Sequence, residues 1–260
     1  MTMSFSSLIV ASLLIHLFVE NHARDSQGTY ASCKAILNAN PNAAGGEYTI
    51  NTNTGDQRVY CEMGINGGGY TFLPRQAIVT GTNLNLDSIF TDKSHVLLRI
   101  SYDNGRQPFT VLRQLQRYAS TPLSVQINSH LGYTNPVNRA MGPKLFLGFL
   151  PANIANNPSF KFQGIRSNGR AITFNYCGSN PASYFALFPN HREVPPSSYG
   201  GSGIGANFYG AWLNSAKPVP SGRTMANEFF FFTELHFGGC GAYTSSDKWA
   251  RSTGVAIGFR

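Results

Sequence analysis

The sequence predicts a β-dominated α+β fold, and three observations carry that prediction. Apolar and polar residues alternate in short runs such as Leu123-Ser124-Val125-Gln126-Ile127-Asn128, Phe160 to Ile165 and Ala171 to Tyr176, the period of a half-buried strand. Clusters of Gly, Pro, Asn and Ser, which turn the chain, separate those runs. By contrast, helical spacing is confined to Thr110 to Ala119, where Val111, Leu112, Leu115 and Tyr118 share a face, and more faintly to Asn83 to Phe90.

The elements follow in order. Gly46 to Ile50 and Val59 to Met63 are rich in Tyr, Ile and Val and flank a polar turn at Asn51 to Gln57, where Thr54-Gly55-Asp56 tolerates positive φ. His95 to Tyr102 is an apolar, β-branched run stopped by Asp103-Asn104-Gly105, a hairpin-type turn. Lys144 to Leu150 is continuously apolar between Pro143 and Pro151, and Tyr184 to Phe188, Glu228 to Phe237 and Gly254 to Phe259 complete the predicted strands. Pro195 to Gly210 reads as a long surface loop, because aromatic residues continue on both sides of it. No fixed-period repeat is visible, which argues against a solenoid or propeller.

Composition bounds the function. Ser7 to Val19 is an apolar run followed by polar Glu20-Asn21-His22 and small Ala23, the layout of a secretory signal peptide over residues 1–23. A short polar lead, 24–31, follows. No later segment is apolar for long enough to span a bilayer, so stable membrane insertion is not expected. Twenty Lys and Arg against twelve Asp and Glu give a net charge of +8, which suits acidic extracellular macromolecules or glycans as partners. The densest basic group, Arg99, Arg106, Arg113 and Arg117, is diffuse. Export and the lack of a recognition motif argue against nucleic acid. Four cysteines, Cys33, Cys61, Cys177 and Cys240, imply two disulfides in an oxidising compartment, with three connectivities open. Asn157-Pro158-Ser159 is blocked as a glycosylation site by its proline.

One block is more specific. Ser32-Cys33-Lys34, Gly46-Glu47-Tyr48, Val59-Tyr60-Cys61-Glu62-Met63 and Gly67-Gly68-Gly69-Tyr70-Thr71 occur in that order. This resembles the opening of fibrinogen C-terminal-like domains, including the intelectin lectins. The resemblance covers residues 32–75 and implies a small disulfide-stapled N-terminal subdomain docked on a larger sheet-rich one, 76–260. It also implies a Cys33–Cys61 bridge, which leaves Cys177–Cys240 by elimination. The ending, Gly238-Gly239-Cys240-Gly241-Ala242-Tyr243 with Val255 to Arg260, is similar to uncharacterised secreted invertebrate proteins, some from coral skeletal organic matrix. The family's calcium loop has no counterpart: Asp247 stands alone in Thr244 to Trp249, and Asp87 and Asp92 are too sparse to replace it.

The remaining motifs complete no catalytic or metal site. Gly200-Gly201-Ser202-Gly203-Ile204-Gly205 lacks the Lys-Ser/Thr ending and following helix of a phosphate cradle. Cys240, near His236, is expected in a bridge rather than as a nucleophile. His95, His130, His191 and His236 are isolated, without metal-ligand spacing, so no metal or other cofactor is expected. No Gly-x-Ser-x-Gly elbow or flagged carboxylate pair points to an enzyme. Tyr199, Tyr209, Trp212, Tyr243 and Trp249, with Phe208, sit in Gly-, Ser- and Asn-rich segments and are candidate ligand-binding aromatics. The expectation is a secreted, non-enzymatic extracellular matrix protein, of biomineral organic matrix type, binding acidic macromolecules through a basic surface. The alternative is a soluble fibrinogen-related lectin.

Overall fold

The computed structural model describes residues 29–80, 83–114, 123–127, 143–148, 164–173, 183–189, 216–220, 222–237, 242–245 and 252–260. Helix α1 (Cys33–Ala39) opens the described chain; Ser32 caps it, its Oγ accepting from the Ala35 N–H at 3.2 Å. Strands β1 (Gly46–Thr52) and β2 (Gly55–Glu62) pair antiparallel with Thr52 opposite Gly55, so the turn is Asn53-Thr54. The short strand β3 (Tyr70–Phe72) pairs with β2 in turn, and helix α2 (Arg75–Thr80) follows. Then come β4 (His95–Tyr102), β5 (Phe109–Gln114), β6 (Ser124–Ile127), β7 (Leu145–Gly148), β8 (Gly164–Ser167), β9 (Arg170–Thr173), β10 (Ser183–Phe188), β11 (Phe232–Phe237), β12 (Ala242–Ser245) and β13 (Ser252–Phe259).

Two sheets result. The larger has the order β1-β2-β3-β13-β4-β5-β8-β9 and the smaller β12-β11-β10-β7-β6, antiparallel at each pairing. Strands β1 to β3, from segment 32–75, are joined edge to edge with the rest through β3 against β13. Alternation assigns the two faces of the larger sheet. Val59, Cys61, Val96, Leu98, Ile100, Leu112, Val255 and Ile257 turn one way, against Ile36 of α1, Ile78 of α2 and Leu145, Leu147 and Leu187 of the smaller sheet. Tyr60, Tyr70, Phe72, Leu97, Phe109 and Ala256 turn the other way, under Met225, Phe229 and Phe230.

Cys33 and Cys61, both fully buried, form a disulfide that ties α1 to β2. Cys177 and Cys240 lie outside the described residues, as do the signal-peptide segment 1–23 and Arg117. No described helix is long and apolar enough to cross a membrane.

Three local expectations need correction. Thr110 to Gln114, expected to be helical, belong to β5; residues 115–119 lie outside the described residues. Pairing with β4 on one side and β8 on the other overrides the i, i+3 spacing, and Thr110 Oγ1 and Ser167 Oγ share a buried hydrogen bond of 2.8 Å. Asn83 to Phe90 forms turns rather than a helix, with Ile89 and Phe90 both donating to the Leu86 carbonyl. Glu228 to Phe231 precede β11: a 3₁₀ turn spans Asn227–Phe229, and Phe231 makes an isolated bridge to Val255.

Candidate functional site

Register brings basic residues together. Arg113 of β5 lies opposite His95 of β4 on one side and opposite Arg166 of β8 on the other. On the far side of β4, β13 pairs Gly258 with Leu97, and the same register carries Arg260 beside His95. The contact is direct, with Arg260 Nη2 2.6 Å from His95 Nε2. Arg260, His95, Arg113 and Arg166 thus form one row across four adjacent strands, about 4.8 Å apart per strand. Like charges directly opposite on a sheet repel.

The counter-charge is small and local. Asp92 faces Arg260 Nε and His95 Nδ1 at 3.3 and 3.4 Å, and it reaches neither Arg113 nor Arg166. Arg260 is held further by Nη1 donating to the Asn66 carbonyl at 2.6 Å and by its guanidinium lying 4.9 Å over the Tyr70 ring. Asn66 Nδ2 in turn donates to the Tyr70 hydroxyl at 2.7 Å. Burial lowers the His95 pKa; Asp92 opposes that shift and Arg260 and Arg113 reinforce it, so the neutral imidazole is favoured. Arg113 carries no hydrogen bond or ion pair from its side chain among the described residues. Arg166 donates to the Gly169 carbonyl.

Beside this row runs a groove of about 550 Å³. Its long side follows β5 from Arg113 past Val111 to Phe109, about 13 Å at the rise of an antiparallel strand. One wall is the 3₁₀ turn Ile65–Gly67, and the other is the β8–β9 turn at Asn168-Gly169. Both turn residues have positive φ (44° and 90°), the geometry of a tight hairpin that asparagine and glycine favour. Asn168 fastens that turn to β5, its Oδ1 accepting from the Val111 N–H at 2.8 Å.

Lys217 closes the far end. Two backbone hydrogen bonds, of 2.8 and 2.9 Å, pin it to Phe109. Further along the chain, Arg99 Nη2 donates to Gln107 Oε1 and to the Arg223 carbonyl, and Gln107 Nε2 donates to the Met225 carbonyl. No acidic side chain lines the groove among the described residues.

The basic group read from sequence divides. Arg99 is fully buried and structural; burial lowers its pKa, and its guanidinium lies 5.8 Å over the Tyr60 ring. Arg106 is exposed at the far end of the β4–β5 hairpin, and Arg113 lines the groove. Tyr199, Tyr209, Trp212 and Trp249 lie outside the described residues. Tyr243, expected in a loop, belongs to β12 opposite His236 of β11. Among the described residues no group of three or more His, Cys, Asp or Glu side chains is placed to hold a metal. Reading from sequence missed Arg260, Asn66 and the Asn168-Gly169 turn. The Asn-Gly pair between short runs was a legible hairpin signal, whereas nothing local marks Arg260.

No protein-family model matches the chain, and no curated protein matches it. Among solved structures, the chain is similar to the fibrinogen-like globe domain of human ANGPTL6. That similarity has 14% sequence identity and a TM-score of 0.29, over 89% of this chain and 95% of that one.

Proposed function

We propose that this chain is a non-enzymatic extracellular protein of the matrix or surface-recognition kind, and that it binds acidic macromolecules through the basic groove. The observation that carries the reading is the cross-strand row of Arg260, His95, Arg113 and Arg166, in which Asp92 pairs with Arg260 beside a neutral His95, and Arg113 and Arg166 stand directly opposite each other with no carboxylate partner among the described residues. A bound anion relieves the mutual repulsion of such a row and gains charge-assisted hydrogen bonds from the guanidinium groups. The buried Cys33–Cys61 bridge and the apolar leader fit an oxidising, exported setting.

A matrix role follows from this chemistry, with cationic residues packing against acidic polymers rather than carboxylates gathering calcium. The test is retention of the protein on immobilised acidic polymers, with elution by salt. Wild-type protein is expected to elute at clearly higher salt than Arg113→Gln/Arg166→Gln, since exposed ion pairs are screened. Equal elution of the two proteins defeats the reading.

A further inference from the structure

Within that acidic-partner reading, we infer that the groove is a binding site for a linear anionic polysaccharide, which it holds along β5. Its positive charges stand apart along the groove. Arg113, with Arg260 and His95 beside it, stands at one end; Lys217 stands at the other, beside Phe109. Four residue steps of antiparallel strand separate Arg113 from Phe109, about 13 Å. A single small anion cannot touch both ends, whereas a polymer with acidic groups on successive units can.

The floor between the ends is apolar. Half-buried Val111 and exposed Pro220 present this apolar surface, the buried Phe109 backs it, and Ile65 adds to it from the facing wall. A sugar ring presents one polar rim and a C–H face, so a chain of acidic sugars lays ring faces on this floor while its sulfates or carboxylates meet the bases. Amide groups at Asn66 and Asn168 flank the floor, although their present hydrogen bonds serve the fold. An extended acidic peptide carries charge at every residue and no such flat apolar face. A lipid headgroup is compact and offers its charge at a single level. The headgroup misses the spacing, and the peptide, which matches it, brings no ring face to the apolar floor.

The experiment uses the secreted full chain and a sulfated glucosamine–uronic acid hexasaccharide, measured by titration calorimetry. Controls are the matching disaccharide, polyglutamate, phosphatidylserine vesicles and the variant Arg106→Gln, which removes the same charge at the far end of the β4–β5 hairpin. The hexasaccharide is expected to bind at least tenfold more tightly than the disaccharide. Arg113→Gln and Lys217→Gln are each expected to weaken the hexasaccharide by roughly tenfold, the scale of one charge-assisted contact, and Arg106→Gln to leave it unchanged. Equal binding of hexasaccharide and disaccharide, or polyglutamate or vesicles binding as tightly with the same sensitivity to Arg113→Gln, overturns the polysaccharide assignment and leaves the acidic-partner reading standing. If Arg113→Gln and Lys217→Gln behave like Arg106→Gln for every acidic probe, both readings fall. Circular dichroism of each variant separates loss of the site from loss of the fold.

Discussion

Substituting alanine for Gly68 tests the turn that forms one wall of the groove. Gly67, Gly68 and Gly69 all have positive φ, and at Gly68 the pair is φ 66° and ψ −175°, a region that L residues all but avoid. A Cβ there overlaps the Met63 carbonyl oxygen and falls 2.9 Å from Leu37 Cδ2. The first contact is with backbone, so no side-chain rotation relieves it. Conformational strain of about 1–3 kcal/mol combines with about 1–3 kcal/mol for the enforced overlap. The expected loss is therefore roughly 4 kcal/mol, a large share of a typical domain's stability.

Gly105→Ala supplies the comparison. Its φ is 77°, and no atom lies within 4 Å of an added Cβ, so only the left-handed penalty of about 1–2 kcal/mol applies. Urea unfolding followed by circular dichroism measures both variants, and comparable m-values are required for the comparison to hold. Gly68→Ala is expected to exceed Gly105→Ala by about 2 kcal/mol or more. A difference within about 0.5 kcal/mol refutes the claim that the Met63 carbonyl forces glycine at this position.

The disulfide and His95 give three more expected outcomes. Replacing Cys33 and Cys61 by alanine removes a closure of 28 residues, about 3.5 kcal/mol in the chain-entropy model; the melting temperature should fall by about 7–14 °C, and a fall under about 3 °C contradicts it. His95 sets a pH response: its folded pKa lies below the unfolded 6.5, so the stability it contributes is complete above that value and lost as pH falls through the folded one. His95→Gln should flatten that part of the stability profile. A bound polyanion favours the imidazolium, so binding should take up protons and tighten on acidification; tightening that persists unchanged in His95→Gln assigns the effect elsewhere.

Much of the sheet was readable because its residues carry their own signals. His95 to Tyr102 is apolar and β-branched, and it forms β4 as expected, ending at the Asp103-Asn104-Gly105 turn. Alternation located β6, and the run before Arg260 located β13. Thr110 to Gln114 misled because Leu112, Leu115 and Tyr118 mimic a helical face, and only pairing with β4 and β8 makes the segment a strand. Helix α1 was missed although Ser32 is a good N-cap, since a seven-residue helix holds too little periodicity to stand out. Arg99 was counted in the diffuse basic group, but Gln107 and the Arg223 carbonyl, the latter far along the chain, hold its Nη2 inside the protein.

By itself the sequence determined the strand-rich character, the positive charge and the turn chemistry, including glycines at 67–69 whose backbone requires them. Those properties are local: a propensity, a composition or a φ value belongs to a residue and its neighbours. The site was decided by tertiary structure. Arg113, Arg166 and Arg260 are scattered along the chain, and strand register alone sets them side by side. A slip of one residue in any of those pairings turns the side chain to the opposite face and dissolves the row.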